Sequence, residues 1–164
     1  MGSGMANRGR IDLDDLSWER RRYRPEAAYA ASKLADIHLF RHLGRVSEER
    51  GWRLVSAGAH PGFTRTNLQT AGAALGEGRT LMSRVTSSSM VPSQQPEQGA
   101  EPILLAAADP AVRSGDYYGP TRWFELVGPP GPARLNARMA DADMASRLWS
   151  TAQDLTGARL PAAV

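Results

Sequence analysis

The chain has 164 residues, of which 41% are hydrophobic and 23% charged, a balance that excludes disordered and fibrous classes and fits one soluble globular domain. Its net charge is +3 and its sequence pI about 9.8, yet the basic run Glu19–Arg24 directly follows Asp12, Asp14 and Asp15. With no unopposed basic stripe and no recognisable nucleic-acid module, a nucleic-acid partner is not expected.

The N-terminal stretch MGSGMANRGRID has no apolar run, so it does not read as a secretory signal, and Ala6 breaks the myristoylation pattern. No apolar run approaches the roughly 18 residues that span a bilayer. The lack of cysteine rules out a disulfide framework and a thiolate metal site. A soluble, cytoplasmic protein with no membrane partner is the expectation. Residues 5–25 are polar and non-periodic and predict a loop, with one turn of helix around Asp15–Arg21. Pro25 stands where helices begin, and the following run predicts a long helix that stops at Gly51.

Residues 53–59, RLVSAGA, form a short apolar run between Gly51 and Pro61-Gly62, as expected of a strand buried on both faces. Residues 61–95 are rich in Gly, Ser and Thr and predict a long loop holding a short helix or two. A second helix is predicted over about 96–109, ending at Asp109-Pro110. Tyr117 and Tyr118 suggest a short strand, and PPGPARLNA an irregular linker. A capped amphipathic helix follows, with Asp141 or Asp143 at its start and Gly157 at its end. Helices alternating with strands imply an α/β protein with a parallel sheet. Two strands alone, however, are too few to be covered on both faces.

Lys33 is the only lysine; the other 19 of the 20 Lys and Arg residues are arginine. It lies four residues after Tyr29 in the long helix, so both side chains share one helical face. A phenol is a poor base at neutral pH, and an ammonium nearby favours the phenolate. Lysine suits this better than arginine because it is a compact point charge whose three donors can also hold sugar hydroxyls. On spacing alone the pair is equally a wet helix face that carries one lysine.

About thirty residues later comes His60-Pro61-Gly62-Phe63-Thr64-Arg65-Thr66. Further on are Gly115-Asp-Tyr-Tyr-Gly-Pro120, Ala145-Ser-Arg-Leu-Trp149 and Leu155-Thr-Gly157, and before the tyrosine stands Gly9-Arg-Ile-Asp-Leu-Asp-Asp-Leu16. Together with Tyr29-Ala-Ala-Ser-Lys33, these segments resemble the retinol-dehydrogenase-like branch of the short-chain dehydrogenase/reductase family, in order and spacing over nearly the whole chain. The resemblance implies an α/β fold, the C-terminal portion of a Rossmann-type doubly wound parallel sheet. It implies NADP or NAD as cofactor and a small-molecule alcohol or carbonyl as substrate.

By the same resemblance Tyr29 exchanges the proton, Lys33 holds the nicotinamide ribose and tunes Tyr29, and Pro61, Gly62, Thr64 and Thr66 meet the nicotinamide. Counting back from Gly9-Arg10 places the family's catalytic serine at Ser3, although MGSG is equally a start-site or tag remnant. The family's opening strand, Thr-Gly-x-x-x-Gly-x-Gly loop, adenosine selector and Asn-Asn-Ala-Gly segment have no counterpart here. The sequence therefore reads as the C-terminal half of a reductase, with the N-terminal nucleotide-binding half missing, and residues 1–164 as a single partial domain.

Gly72-Ala-Ala-Leu-Gly76-Glu-Gly78 fits the phosphate-loop pattern in letters, but no β-rich run precedes it, so a flexible substrate-side loop is expected. His38 and His42 have the i, i+4 spacing of metal ligands without a third ligand. They are expected to be exposed or subunit-facing, with no metal site. Trp18, Trp52, Trp123 and Trp149 read as packing residues. The function expected is an NADP- or NAD-dependent oxidoreductase; the rival is a non-catalytic fragment that serves as an interaction module. Apolar faces of the 26–50 helix and the 53–59 strand are expected to lack cover, which would favour a homo-oligomer.

Overall fold

The computed structural model describes residues 1–65 and 91–161. A 3-10 turn, Gly4–Arg8, is followed by an irregular segment and then the 25-residue helix α1, Pro25–Glu49. Pro25 occupies the first turn, where its missing N–H costs nothing, and Gly51 ends the run at φ +65°. Beyond lie β1, Gly58–Ala59, helix α2, Pro96–Ala108, and the strands β2, Tyr117–Arg122, and β3, Val127–Pro132. A single turn, α3, Ala137–Ala140, leads into α4, Ala142–Thr156.

Among the described residues the sheet has three strands in the order β1-β2-β3. β1 pairs parallel with β2, and β2 pairs antiparallel with β3. The parallel sheet expected from the sequence is thus mixed. The linker expected over residues 129–137 is in part an edge strand, where prolines are tolerated because their missing N–H faces no partner. The strand expected over 53–59 forms a ladder only at Gly58 and Ala59. Arg53, Leu54 and Val55 are exposed, and among the described residues no strand pairs with them.

Helix α2 contacts all three strands, and α1 packs on the sheet through Phe40, whose ring stacks on Tyr117 at a centroid distance of 6.0 Å. Ala30, Leu34 and Ile37 recur at helical spacing on α1 and are buried, Ile37 completely. Ile37 and Leu34 form the core with Ala6, Tyr117 and Met139. Full burial of a side chain of this size contributes about 1.5–3 kcal/mol. The apolar face of α1 is therefore covered, contrary to expectation, by the 3-10 turn, Met139 and α4. Leu54 and Val55 keep the exposure expected of them.

Three local expectations also change. The segment around Asp15–Arg21 is not helical: the Asp15 carboxylate accepts the backbone N–H groups of Glu19, Arg20 and Arg21, at 2.7, 3.2 and 3.2 Å, and closes a loop. His38 and His42 are buried rather than exposed, because α4 covers their side of α1. Trp123, expected to be a packing residue, stands 66% exposed on the β2–β3 turn. The α4 caps fall as expected, with Asp141 Oδ1 accepting from Met144 N at 3.0 Å and Gly157 at φ +71°.

Candidate active site

Tyr29 and Lys33 project from the second and third turns of α1. The ammonium lies 5.9 Å from the centroid of the Tyr29 ring, and Tyr29 remains 38% exposed. Lys33 Nζ donates to Asp36 Oδ2 at 2.8 Å and to the Met1 carbonyl at 3.2 Å. Asp36 went unnoticed in the sequence, although its i, i+3 spacing from Lys33 is the signal that finds such a pair. The bond to Met1 ties the start of the N-terminal segment to Lys33 on α1.

Ser3 caps the 3-10 turn, its Oγ accepting from Met5 N at 3.2 Å. One residue earlier, Gly2 N donates to Ala59 O at 2.8 Å, so this segment runs alongside the end of β1. Beneath it lies Tyr117, a residue the sequence did not mark as part of any site. Burial, together with the negative charge of Glu125, pushes its hydroxyl well above the ordinary phenol range; the backbone N–H of Ser3 offsets this only in part. Tyr117 thus forms a neutral floor under Ser3, with Tyr29 also within electrostatic reach.

Pro61, Gly62, Phe63 and Thr64 follow β1 and turn at its carboxyl end, the edge at which open α/β sheets bind ligands. Gly62 sits at φ +63°, and a Cβ there would strike the Leu126 carbonyl and the Pro120 ring, so only glycine fits. Thr64 Oγ1 donates to the Pro61 carbonyl at 2.7 Å, and Gln94 Nε2 donates to the same oxygen at 3.0 Å. A parallel bridge between Thr64 and Gln94 closes the base of the long connection. Gln94, buried and doubly bonded, is a second residue that sequence reasoning missed. Thr66 and the glycines of Gly72–Gly78 lie outside the described residues.

The residues described fit the nicotinamide end of a dinucleotide: an exposed phenol, an ammonium one turn away, and a glycine turn at a strand end. Among the described residues no strand–glycine loop–helix unit offers amides to a pyrophosphate, and no cluster of His, Asp and Glu could hold a metal ion.

No family model matches the chain. It is 33% identical over 158 residues to human (Homo sapiens) retinol dehydrogenase 13, covering 93% of this chain and 43% of the relative. It is 34% identical over 160 residues to Mus musculus polyprenol dehydrogenase, covering 96% and 43% respectively. Among solved structures, an uncharacterized protein from Mycobacterium paratuberculosis superposes with a TM-score of 0.73 at 30% identity, over 98% of this chain and 50% of the other. The chain spans less than half the length of the curated relatives it matches.

Proposed function

The chain belongs to the short-chain dehydrogenase/reductase family, corresponding to the C-terminal half of its relatives, and on that premise we propose that it carries the proton-transfer half of a nicotinamide-dependent oxidoreductase. The observation that supports this most directly is the exposed Tyr29 ring with the Lys33 ammonium 5.9 Å from its centroid. In this reading the substrate is a small alcohol or carbonyl compound. Its oxygen takes a hydrogen bond from Ser3 Oγ and exchanges a proton with the Tyr29 hydroxyl. Lys33 favours the phenolate and holds ribose hydroxyls, while Pro61, Gly62, Thr64 and Thr66 face the nicotinamide.

When bound, NADP or NAD supplies or accepts the hydride. In carbonyl reduction the Tyr29 hydroxyl would give its proton to the substrate oxygen, neutralising the charge that hydride addition at the carbon would leave there. The relatives named for retinol and polyprenol suggest an apolar alcohol as the substrate class. The pyrophosphate and adenosine would have to be held by residues other than those described.

The test is to join this chain to the nucleotide-binding half of a relative and compare turnover with Tyr29→Phe. Loss of about 100-fold or more is expected, with cofactor affinity largely kept. A variant that keeps more than about a tenth of the turnover removes Tyr29 as proton donor. A second reading, an interaction module without turnover, is favoured by the exposure of Leu54 and Val55. Full activity in the joined chain would leave that reading without support.

A further inference from the structure

The β2–β3 turn is built from an uncommon backbone. Trp123, Phe124 and Glu125 all lie in the left-handed region, at φ 52°, 57° and 64°, a conformation that costs a non-glycine residue about 1–2 kcal/mol. Such outliers persist where the surroundings over-determine them. Here Leu126 N closes the turn on the Arg122 and Trp123 carbonyls, and Glu125 ties it to the rest of the fold. While Trp123 and Phe124 point into solvent, 66% and 96% exposed, the Glu125 side chain turns inward. Its Oε1 accepts from Arg134 N at 2.9 Å, and its Oε2 lies 3.4 Å from His60 Nε2.

His60 is almost completely buried, between the Tyr117 ring at a centroid distance of 5.3 Å and the backbone of Gly119. A Cβ on Gly119 would overlap the imidazole, so the ring has one place to sit. Its Nδ1 accepts from Gly62 N at 3.3 Å. An Nδ1 that accepts leaves the proton on Nε2, the nitrogen that faces Glu125. The Nε2 contact is too long and off-line for a hydrogen bond, so the carboxylate acts on the Nε2–H dipole of the neutral ring at 3.4 Å. The hairpin and the glycine turn are therefore linked through one side chain: Glu125 carboxylate, His60 Nε2–H, His60 Nδ1, Gly62 N–H.

We propose that His60 is a positioning residue, coupling the strained β2–β3 turn to the Pro61–Gly62 turn, so that the Glu125 carboxylate fixes the imidazole tautomer and thereby the backbone of Gly62. The bearing of this coupling on cofactor placement rests on the function proposed above; the coupling itself does not. Two further bonds run alongside it. Phe63 N donates to Leu126 O at 2.7 Å, and the Gln94 amide joins Pro61 O to Gly128 N, which donates to Gln94 Oε1 at 3.1 Å. These hold the same pieces together without reading the state of Glu125, so the two roles can be separated.

The experiment uses the full 164-residue chain, labelled with ¹⁵N, at neutral pH. Ring nitrogen shifts are expected to show the neutral Nε2–H tautomer at His60. Glu125→Ala should speed exchange of the Gly62 amide roughly three- to tenfold, the range for weakening one hydrogen bond. Glu125→Gln, which keeps an acceptor, should change it little. His60→Asn keeps an acceptor at the Nδ1 position but cannot reach residue 125. In that background Glu125→Ala should leave Gly62 unaffected, a coupling energy that a purely structural role would not produce. An Nδ1–H tautomer overturns the inference, and so does an equal effect of Glu125→Ala in both backgrounds. The joined enzyme described above reads the other question: a Glu125→Ala variant whose Gly62 amide is uncoupled in the 164-residue chain, yet whose cofactor KM in the joined enzyme is unchanged, keeps the relay and removes its bearing on the nicotinamide.

Discussion

His42 stacks on Trp149, their rings 5.0 Å apart and 28° from parallel, which fastens α4 to α1 through a buried imidazole. Burial, with Arg45 beside it, holds its pKa below the ordinary histidine value, although Glu49 opposes this. His38 is shifted down in the same way by burial, with Asp141 opposing and Arg41 reinforcing, and so is His60, with Glu125 opposing. A base whose folded pKa is depressed must shed a proton to fold. Stability is then unaffected above about pH 6.5, the unfolded value, and declines as pH falls below it. Melting temperature should drop steadily from pH 7 towards 5, and His42→Phe should flatten that slope. A melting temperature constant across this window would contradict the assignment.

Asp15 predicts the next loss on acidification. Burial raises its pKa, but the Arg20, Glu19 and Arg21 amides and the Arg21 guanidinium outweigh this and hold it below the usual carboxylate range. Its contribution is present above the unfolded value of about 3.8 and disappears as pH falls through the lower folded one. Asp15→Ala, which removes both acceptor oxygens, should abolish hydrogen-exchange protection at residues 19–21 at neutral pH while leaving α1 protected.

Ile37→Ala removes a fully buried side chain from the centre of the core. Denaturant unfolding should show a loss of about 2–5 kcal/mol. Phe124→Ser, at the exposed turn, should stay within about 0.5 kcal/mol of the parent.

Lys33→Arg should leave stability nearly unchanged, since a guanidinium can still pair with Asp36 and exposed pairs contribute about 0.2–1 kcal/mol. In the joined enzyme described above, the larger, untunable fork should raise the pH optimum and weaken cofactor binding together. A variant equal to the parent in both would make the single lysine an accident of composition.

The chain on its own should bind nicotinamide dinucleotides no better than weakly. Only Lys33, Tyr29 and the Pro61–Thr64 turn are available to them among the described residues, and these address one end of the molecule. Thermal scans with NADPH should show no rise in melting temperature; micromolar affinity by calorimetry would refute this and revive a phosphate loop at Gly72–Gly78.

The helices were legible because their signals are local. Pro25, Gly51, Asp141 and Gly157 mark ends that need no distant partner to be read. β3 was hidden because three of its six residues are prolines, a composition that argues against a strand unless one knows it lies at an edge. The ladder of β1 was overestimated because ladder length depends on neighbours, and Leu54 and Val55 look the same in the sequence with or without them. In the candidate site, Tyr29, Lys33 and the Pro61–Gly62 turn could be picked out because their motifs resemble those of the family; spacing alone left the Tyr29–Lys33 pair open. Tyr117, Gln94 and Glu125 could not be, since Tyr117 and Glu125 reach the site only through the return of β2 and β3, and Gln94 only through its bridge to Thr64 across the long connection. The burial of His38 and His42 likewise depended on where α4 docks.

The turn at Trp123 and Phe124 also has a consequence for chirality. A D-amino acid prefers the region of backbone space that L-residues enter there at a cost, because its Cβ lies on the other side of the chain. A heterochiral protein assembled by peptide ligation, with D-Trp at 123 and D-Phe at 124 and an L-glutamate kept at 125, should melt higher than the all-L chain. At almost every other position of this fold the same inversion would be ruinous; at these two the mirror image is the better fit.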